Sequence, residues 1–481
     1  GVLWAGSNDG LVHISRDGGS SWDNVTANIP GLPPLGTVRN IDASRWDAAK
    51  AYITVDFHQV GNFEPFVYKT EDYGASWTKI TSGIAGSPLS YVRNIRQDPV
   101  RPGLLYLGTE NALYASFDDG ANWQPLQTNL PPAPIYWMVV QEHFNDLVVG
   151  TYGRGFWILD DITPLQQLTP EVASSEVHLF QPRPAYRFRP ITQPMTMFND
   201  PSAGENPPYG ASINYWLAEE PEGKVEIRIA DSSGEAIRTL EGKKEAGINR
   251  LWWDLEGEPS DQIKLRSKPL HADWVDLGEE RWLPARVGRI SVLAPPGEYT
   301  LTLQVGGQEY TRQLQVLKDP HSEGSLEDIR IQTEMLADLR EDMNAAAALI
   351  NRIEWIRRQL YDLRAALEER ENLEEVLTAA AELDKKLIAL ESNLLQLKVT
   401  GTGQDRVRWP TRLAGKLSHL ANGVAVGDFP PTDQQREVHQ LLRQRLKRWQ
   451  DDLKQLEAGG LAQFQGMLSE QNLSFPVLPN P

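Results

Sequence analysis

The sequence predicts a multidomain β + α protein: a partial Asp-box-type β-propeller, a β-sandwich of immunoglobulin or fibronectin type III kind, and a C-terminal antiparallel helical bundle. Three observations predict it. A turn pattern, Ser/Thr-x-Asp-x-Gly-x-(Ser/Asn)-Trp, occurs three times, ending at Trp22, Trp77 and Trp123. Its acids, Asp17, Asp72 and Asp118, lie 55 and 46 residues apart, and self-similarity at about 40–50 residues marks propeller blades. Beyond residue 163 apolar residues recur every second position, and beyond Ser325 every third or fourth. That is the change from half-buried strands to amphipathic helices.

Each turn has a complete local mechanism. The Asp carboxylate can accept bonds from nearby backbone N–H groups and from the Ser/Thr hydroxyl. The Gly supplies a positive φ without a Cβ clash. The Trp buries a large ring between adjacent sheets. Asp17, Asp72 and Asp118, with Trp22, Trp77 and Trp123, are therefore expected to be structural rather than catalytic or metal-binding.

The strands follow a four-strand plan. In the third repeat they are Val92–Ile95, Leu104–Leu107, Ala112–Ala115 and the segment after Trp123; in the second, Val38–Ile41, Ala51–Val55, Phe66–Lys69 and the segment after Trp77. The first repeat lacks its opening strand, since Val2–Ala5 already corresponds to the second position. A fourth unit, Tyr136–Val140, Leu147–Val149 and Gly155–Leu159, has no turn motif after it. The tally is about three and a half blades, whereas propellers close with about 4–8. The remaining blades are expected from an upstream segment or a second polypeptide; a four-bladed ring completed within the chain is the alternative.

Residues 163–320 alternate over Ser212–Leu217, Lys224–Ile229, Asn249–Asp254, Tyr299–Val305 and Tyr310–Val316, which predicts the sandwich, interrupted by a long polar loop at 257–288. From Ser325 a capping box opens a helical stripe through Leu336, Leu339, Met343, Ile350 and Leu360. A second stripe runs from Leu373 to Leu397, and a third, opened by Thr432-Asp-Gln-Gln435, from Val438 to Leu456. Breaks near Glu371 and Thr400–Gly403 favour a folded-back bundle over a dimeric coiled coil. The predicted division is thus 1–162 propeller blades, 163–320 sandwich and 321–481 bundle.

Composition narrows the function. The 481 residues carry a net charge of −18, without the basic footprint of a nucleic-acid binder. No run of apolar residues is long enough for a transmembrane helix. There is no Cys, which excludes disulfides and thiolate chemistry. The eight His show no metal-ligand spacing, so no metal or cofactor is expected; structural Ca²⁺ stays open, because a site of carbonyls and one or two Asp leaves little sequence trace.

The repeated turn resembles the Asp box of bacterial neuraminidase (BNR) repeats, found in sialidases, xyloglucan-hydrolysing enzymes and the sortilin propeller. Together with Gly150-Thr-Tyr-Gly-Arg-Gly-Phe-Trp-Ile-Leu-Asp-Asp-Ile-Thr-Pro-Leu165, Asn249-Arg-Leu-Trp-Trp-Asp-Leu255 and Pro430-Pro-Thr-Asp-Gln-Gln435, it resembles large bacterial proteins labelled sortilin-like or BNR-repeat "glycosyl hydrolase". The resemblance implies an N-terminal propeller, a β-sandwich and a helical region, of which this chain would be the C-terminal portion. It also implies export, to the periplasm, the cell surface or the medium.

In a propeller the loops from strand two to three and from blade to blade share one rim, opposite the repeated turns. That rim would hold Asn8, Asp9, Asp56, His58, Glu64, Glu110, Asn111, Tyr152 and Arg154, with Arg39 and Arg93 recurring in Val-Arg-Asn-Ile at the starts of innermost strands. The favoured reading is a non-catalytic binding or scaffold protein whose rim takes a protein, peptide or glycan, with Arg39, Arg93, His58, Tyr152 and Arg154 as ligand contacts. The alternative is a glycoside hydrolase, sialidase-like or xyloglucanase-like, with Asp56, Glu64 or Glu110 as acid/base candidates and Arg39 and Arg93 as substrate clamps. For Arg39 and Arg93 themselves the favoured role is structural: pairing with rim acids of neighbouring blades to hold the ring together.

Overall fold

The computed structural model describes residues 1–189, 204–270, 275–278, 281–370, 372–398 and 409–473. Part of the turn-rich stretch near Asp200, the break at Glu371 and the segment Thr400–Gly403 lie outside the described residues. The molecule is β-rich through residue 318 and helical from residue 326. No helix among the described residues is long and apolar enough to cross a membrane.

Four antiparallel sheets follow one another from the N-terminus. The first joins β1 (Leu3–Gly6), β2 (Val12–Ser15) and β3 (Asp23–Asn24). The second joins β4 (Thr37–Ala43), β5 (Ala51–Asp56), β6 (Phe66–Thr70) and β7 (Thr78–Lys79). The third contains β8 (Val92–Gln97), β9 (Leu105–Thr109), β10 (Leu113–Ser116) and β11 (Gln124–Pro125), and the fourth β12 (Ile135–Gln141), β13 (Asp146–Thr151) and β14 (Phe156–Leu159).

Because side chains alternate along a strand, one sheet serves two cores. Val12 and Ile14 meet Ile53, Val55, Phe66 and Tyr68 between the first and second sheets. Tyr52 and Val67 meet Ile95, Leu105, Leu107 and Tyr114 between the second and third. Tyr106 and Leu113 meet Met138, Val140, Leu147 and Val149 between the third and fourth. Two junctions depend on a missing Cβ: one at Gly6 would fall 2.4 Å from Val38 Cγ1, and one at Gly108 2.5 Å from Ile135 Cγ2.

The repeated turns close alike. Ser15, Thr70 and Ser116 each donate a hydroxyl bond to the Asp two residues on, at 2.8–2.9 Å, and accept the N–H of Gly19, Gly74 or Gly120 at 2.7–2.9 Å. Each Asp also accepts the backbone N–H of the Ser or Asn four residues on, at 2.8–2.9 Å. The glycines have φ of +97°, +80° and +85°. For Asp72 the Ser76 hydroxyl is the largest influence holding the carboxyl below its ordinary range. Trp77 and Trp123 are buried, but Trp22 is 44 % exposed. The expectation that all three rings lie between sheets fails at Trp22, because no preceding sheet covers that side of the first sheet among the described residues.

After the short helices α1 (Thr163–Gln167) and α2 (Pro170–Ser174), two sheets share one apolar core. One is β15 (Val177–Leu179), β17 (Ala211–Leu217) and β20 (Gly247–Trp253). The other orders β16 (Ala185–Arg187), β24 (Gln308–Lys318), β23 (Gly297–Val305), β18 (Val225–Ala230) and β19 (Ala236–Glu241). Trp253 is fully buried, edge-on to Tyr299 at 5.3 Å. Asp161 joins the fourth sheet to this pair: its carboxylate accepts Ser212 and Asn214, and Arg250 donates to its carbonyl.

The helices are α3 (Leu326–Leu367), α4 (Glu374–Leu394), α5 (Leu413–Val424), α6 (Asp433–Leu456) and, after a π turn at Glu457–Leu461, α7 (Ala462–Glu470). Capping boxes at Ser325 and Thr432 open α3 and α6. The sequence reading did not anticipate α5. It read 257–288 as a long polar loop interrupting the sandwich, whereas β21 (Lys264–Leu265) pairs with β22 (Leu283–Pro284) there. That segment lies along α3: Asn344, Asn351 and Glu354 accept N–H groups of Asp261, Lys264 and Ser267 at 2.7–2.8 Å, and Ile263 and Ile290 enter the helical core. At the seam with β16, Asp428 accepts Arg187, Arg189 and Ser322.

Glu391 on α4 is 0 % exposed; burial, then the neighbouring Glu354 charge, pushes its carboxyl well above the ordinary glutamate range, and Arg357 only partly offsets this. A raised folded pKa means stability is lost as pH rises above the unfolded value of about 4.3. Glu391→Gln should therefore raise the melting temperature at neutral pH, with the gain vanishing toward pH 4 in a thermal-melt pH series. Gly108→Ala should cost about 1–3 kcal/mol by overpacking against Ile135, measurable by urea unfolding.

Candidate functional site

The N-terminal sheets gather the sequence-predicted residues through a repeated irregularity. The register of β4 slips between Val38 and Asn40, that of β8 between Val92 and Asn94, and that of β12 between Ile135 and Trp137. The extra residues are Arg39, Arg93 and Tyr136. A bulge leaves its residue outside the ladder and re-aims the side chain, so three equivalent positions contribute two guanidiniums and an aromatic ring.

Arg93 is the centre. Its Nε donates to Glu110 Oε2 at 2.8 Å, and its Nη2 lies 2.6 Å from the same oxygen. Its Nη1 donates to Asp56 Oδ2 at 3.4 Å. The guanidinium lies 4.8 Å from the ring centroids of both Tyr91 and Tyr136. Such cation–π contacts are worth about 0.5–2 kcal/mol each, more when desolvated.

Asp56, at the end of β5, is 4 % exposed. It accepts Arg39 Nε at 3.0 Å, the His58 N–H at 2.9 Å and His58 Nδ1 at 2.7 Å. Burial alone would raise its pKa; the His58 amide and ring, with Arg39, outweigh it and hold the carboxyl below the ordinary range. His58 stacks on Tyr91 at 4.9 Å. Burial of Tyr91, then its bond to Glu110, pushes the phenol up to about 12.

The arrangement therefore brings together Arg39, Asp56, His58, Arg93 and Glu110. Tyr152 stands beside them, 69 % exposed and stacked on Tyr136 at 5.3 Å. Glu64 is exposed, and its carboxylate makes no hydrogen bond or ion pair among the described residues; its N–H donates to Asn62. Arg154 is exposed, with its carbonyl accepting Trp157 Nε1. Asn8 and Asp9 are exposed in the turn between β1 and β2, where Asp9 accepts the Ser7 hydroxyl, and Asn111 pairs with Thr109 at 3.3 Å. No group of three or more His, Asp or Glu among the described residues is placed to hold a metal ion.

Sequence reasoning missed Tyr91, Tyr136 and the bulges. The available signal was the repeated Val-Arg-Asn-Ile, whose third counterpart, Ile135-Tyr-Trp-Met138, exchanges Arg for Tyr. Chemically, the cluster pairs two carboxylates with cations and exposes aromatic faces beside them.

No family model matches the chain. An oligoxyloglucan-reducing end-specific xyloglucanase of Emericella nidulans is 33 % identical over 141 residues, covering 26 % of this chain; the chain spans only 16 % of that relative's length. Among solved structures, a YCF48 bound to a D1 peptide aligns over 64 % of this chain and 76 % of its own at 15 % identity, with a TM-score of 0.23. A xyloglucanase of glycoside hydrolase family GH74 from Xanthomonas campestris aligns over 65 % and 53 % at 13 % identity, TM-score 0.27. The GH74 enzyme of Niastella koreensis aligns over 65 % and 43 % at 10 % identity, TM-score 0.27.

Arg93→Ala should leave Asp56 and Glu110 without their shared cation and cost about 3–5 kcal/mol, the loss typical of one partner of a buried pair. Arg93→Lys should recover only part of it, because an ammonium cannot span both carboxylates. Chemical unfolding of the two variants checks both.

Proposed function

We propose that the four N-terminal sheets are consecutive blades of a β-propeller in an exported protein, and that the rim around Arg93 binds a glycan without cleaving it. The two-sheet region would be a β-sandwich and the helices a bundle, with boundaries near residues 162 and 320, both serving assembly. One observation carries the binding reading: the Arg93 guanidinium occupies the space between Asp56 and Glu110. Glycoside hydrolysis needs a pair of carboxyl groups flanking the scissile bond, one of them protonated. Here both are tied to the same cation, and the Asp56 carboxyl is held below its ordinary range. The exposed Tyr136 and Tyr152 rings offer flat apolar faces with polar tips, the amphipathic kind of surface that suits a sugar.

The partial likeness to a xyloglucanase favours a second reading, glycoside hydrolysis, in which a bound substrate displaces Arg93 and frees Glu110. Xyloglucan oligosaccharide separates the two. Calorimetric titration should show binding that falls at least about tenfold, a loss of 1.4 kcal/mol, in Tyr152→Ala. Reducing-end assays should show no product. Product released by the unmodified chain and lost in Glu110→Gln would establish the hydrolase instead.

A further inference from the structure

The chain carries a net charge of −18, yet its helical region forms a cavity of about 250 Å³ lined by cations. The cavity lies between the last turn of α4, at Asn393, the first turn of α5, and the middle of α6. Arg412, Lys416, Arg445 and Arg448 line it together with Trp449, and none of its described lining residues is an acid.

The fold makes no use of these charges. Among the described residues the side chains of Arg412, Lys416 and Arg445 make no ion pair and no hydrogen bond, and Arg448 has only Asp452, at 4.0 Å. Cations of α6 outside the cavity are paired instead, Arg443 with Asp342 and Lys447 with Asp451. The Arg412 Nε–H is buried without an acceptor, a state that costs free energy and points to an acceptor from outside the chain. Arg412 and Lys416 stand four positions apart, and Arg445 and Arg448 three, spacings at which like charges repel. The first turn of α5 has neither a side-chain cap nor an acid, and cations at that end oppose the helix dipole. For stability alone each of these features is a loss. An anion in the cavity turns every one of them into a gain.

We propose that this cavity binds a small ligand through a tetrahedral oxyanion, the phosphate or sulfate group of an ester. Arg412, Lys416 and Arg445 hold the oxyanion, and the first N–H groups of α5 point to it as helix N-termini do to phosphates. Guanidinium forks match its oxygens in pairs. A single carboxylate would leave most of the converging positive charge unbalanced, whereas a phosphate carries nearly two negative charges. Trp449 lines the same space and offers an apolar ring to the remainder of the ligand. Residues of the helical region alone build the cavity, so its ligand is independent of whatever the rim binds.

Calorimetric titration of the full chain at low ionic strength and mildly alkaline pH, with inorganic phosphate, sulfate and acetate in turn, tests the proposal. Phosphate or sulfate should saturate a single site per chain, and acetate should bind at least about tenfold more weakly. Tighter phosphate binding assigns a phosphate ester as the ligand, and tighter sulfate binding a sulfate ester. Acetate binding as tightly as both, or no saturable binding of either, would overturn the proposal. Arg445→Gln should weaken oxyanion binding about tenfold or more. Without the anion its melting temperature should stay level or rise, because the lost charge was repelled by Arg448. Lys447→Gln removes an equal charge from α6 outside the cavity and should leave the affinity unchanged. An equal loss in both variants would reduce the effect to the net charge of the surface and overturn the site, as would an unchanged affinity in Arg445→Gln.

Discussion

Several of the places where separate parts of this chain meet close over a buried carboxylate, and each of those carboxylates must find donors from the other side. A charge in a low-dielectric interior costs several kcal/mol unless paired and hydrogen-bonded. Asp56 draws Arg93 from the third sheet to the second. Asp161 takes Ser212 and Asn214 and so fastens the fourth sheet to β17. Asp428 takes Arg187 and Arg189, binding the helices to β16 and the chain just after it. Glu354 takes the amides of Arg266 and Ser267, laying the β21–β22 segment on α3. Apolar burial supplies the driving force at these seams, but it is non-directional. The carboxylates supply the direction, because a slipped register would strand a charge.

Within the four N-terminal sheets a second constraint acts. Strand alternation gives the second and third sheets an apolar side chain set on each face, so each packs against two neighbours. The glycines at 6 and 108 let a β-branched side chain come against the backbone, and the bulge after that side chain turns the next residue away from the ladder. One device therefore packs the sheets and aims the rim residues. Arg39, Arg93 and Tyr136 occupy one structural position in three successive sheets, and their chemistry differs only because the side chains do.

That coupling bears on function. The rim acids are the groups a hydrolase would need, yet they are also the groups that neutralise the bulged arginines. With Asp56 and Glu110 committed to Arg93, the exposed groups of the proposed rim are the Tyr136 and Tyr152 rings, Glu64 and Arg154. A fold of this kind accommodates either activity or binding, and under the proposed function the Arg93 guanidinium is what separates the two.

The features legible in the sequence alone are those whose bonds span a few residues. The turns at Asp17, Asp72 and Asp118 close over at most four positions. The boxes at Ser325 and Thr432 close over three, and the strand and helix periods follow from geometry that repeats locally. What sequence could not reveal depends on partners far along the chain. Glu354 meets Arg266 across 88 residues and Arg93 meets Asp56 across 37. Whether Trp22 is buried like Trp77 depends on a neighbouring sheet, not on its own motif. Even the rim depends on a one-residue slip in three strands, which no composition or period records. Local hydrogen bonding determined the elements; only the tertiary packing, by requiring donors for buried acids such as Asp56, Asp161 and Asp428 and by burying the apolar faces between sheets, decided which of them meet.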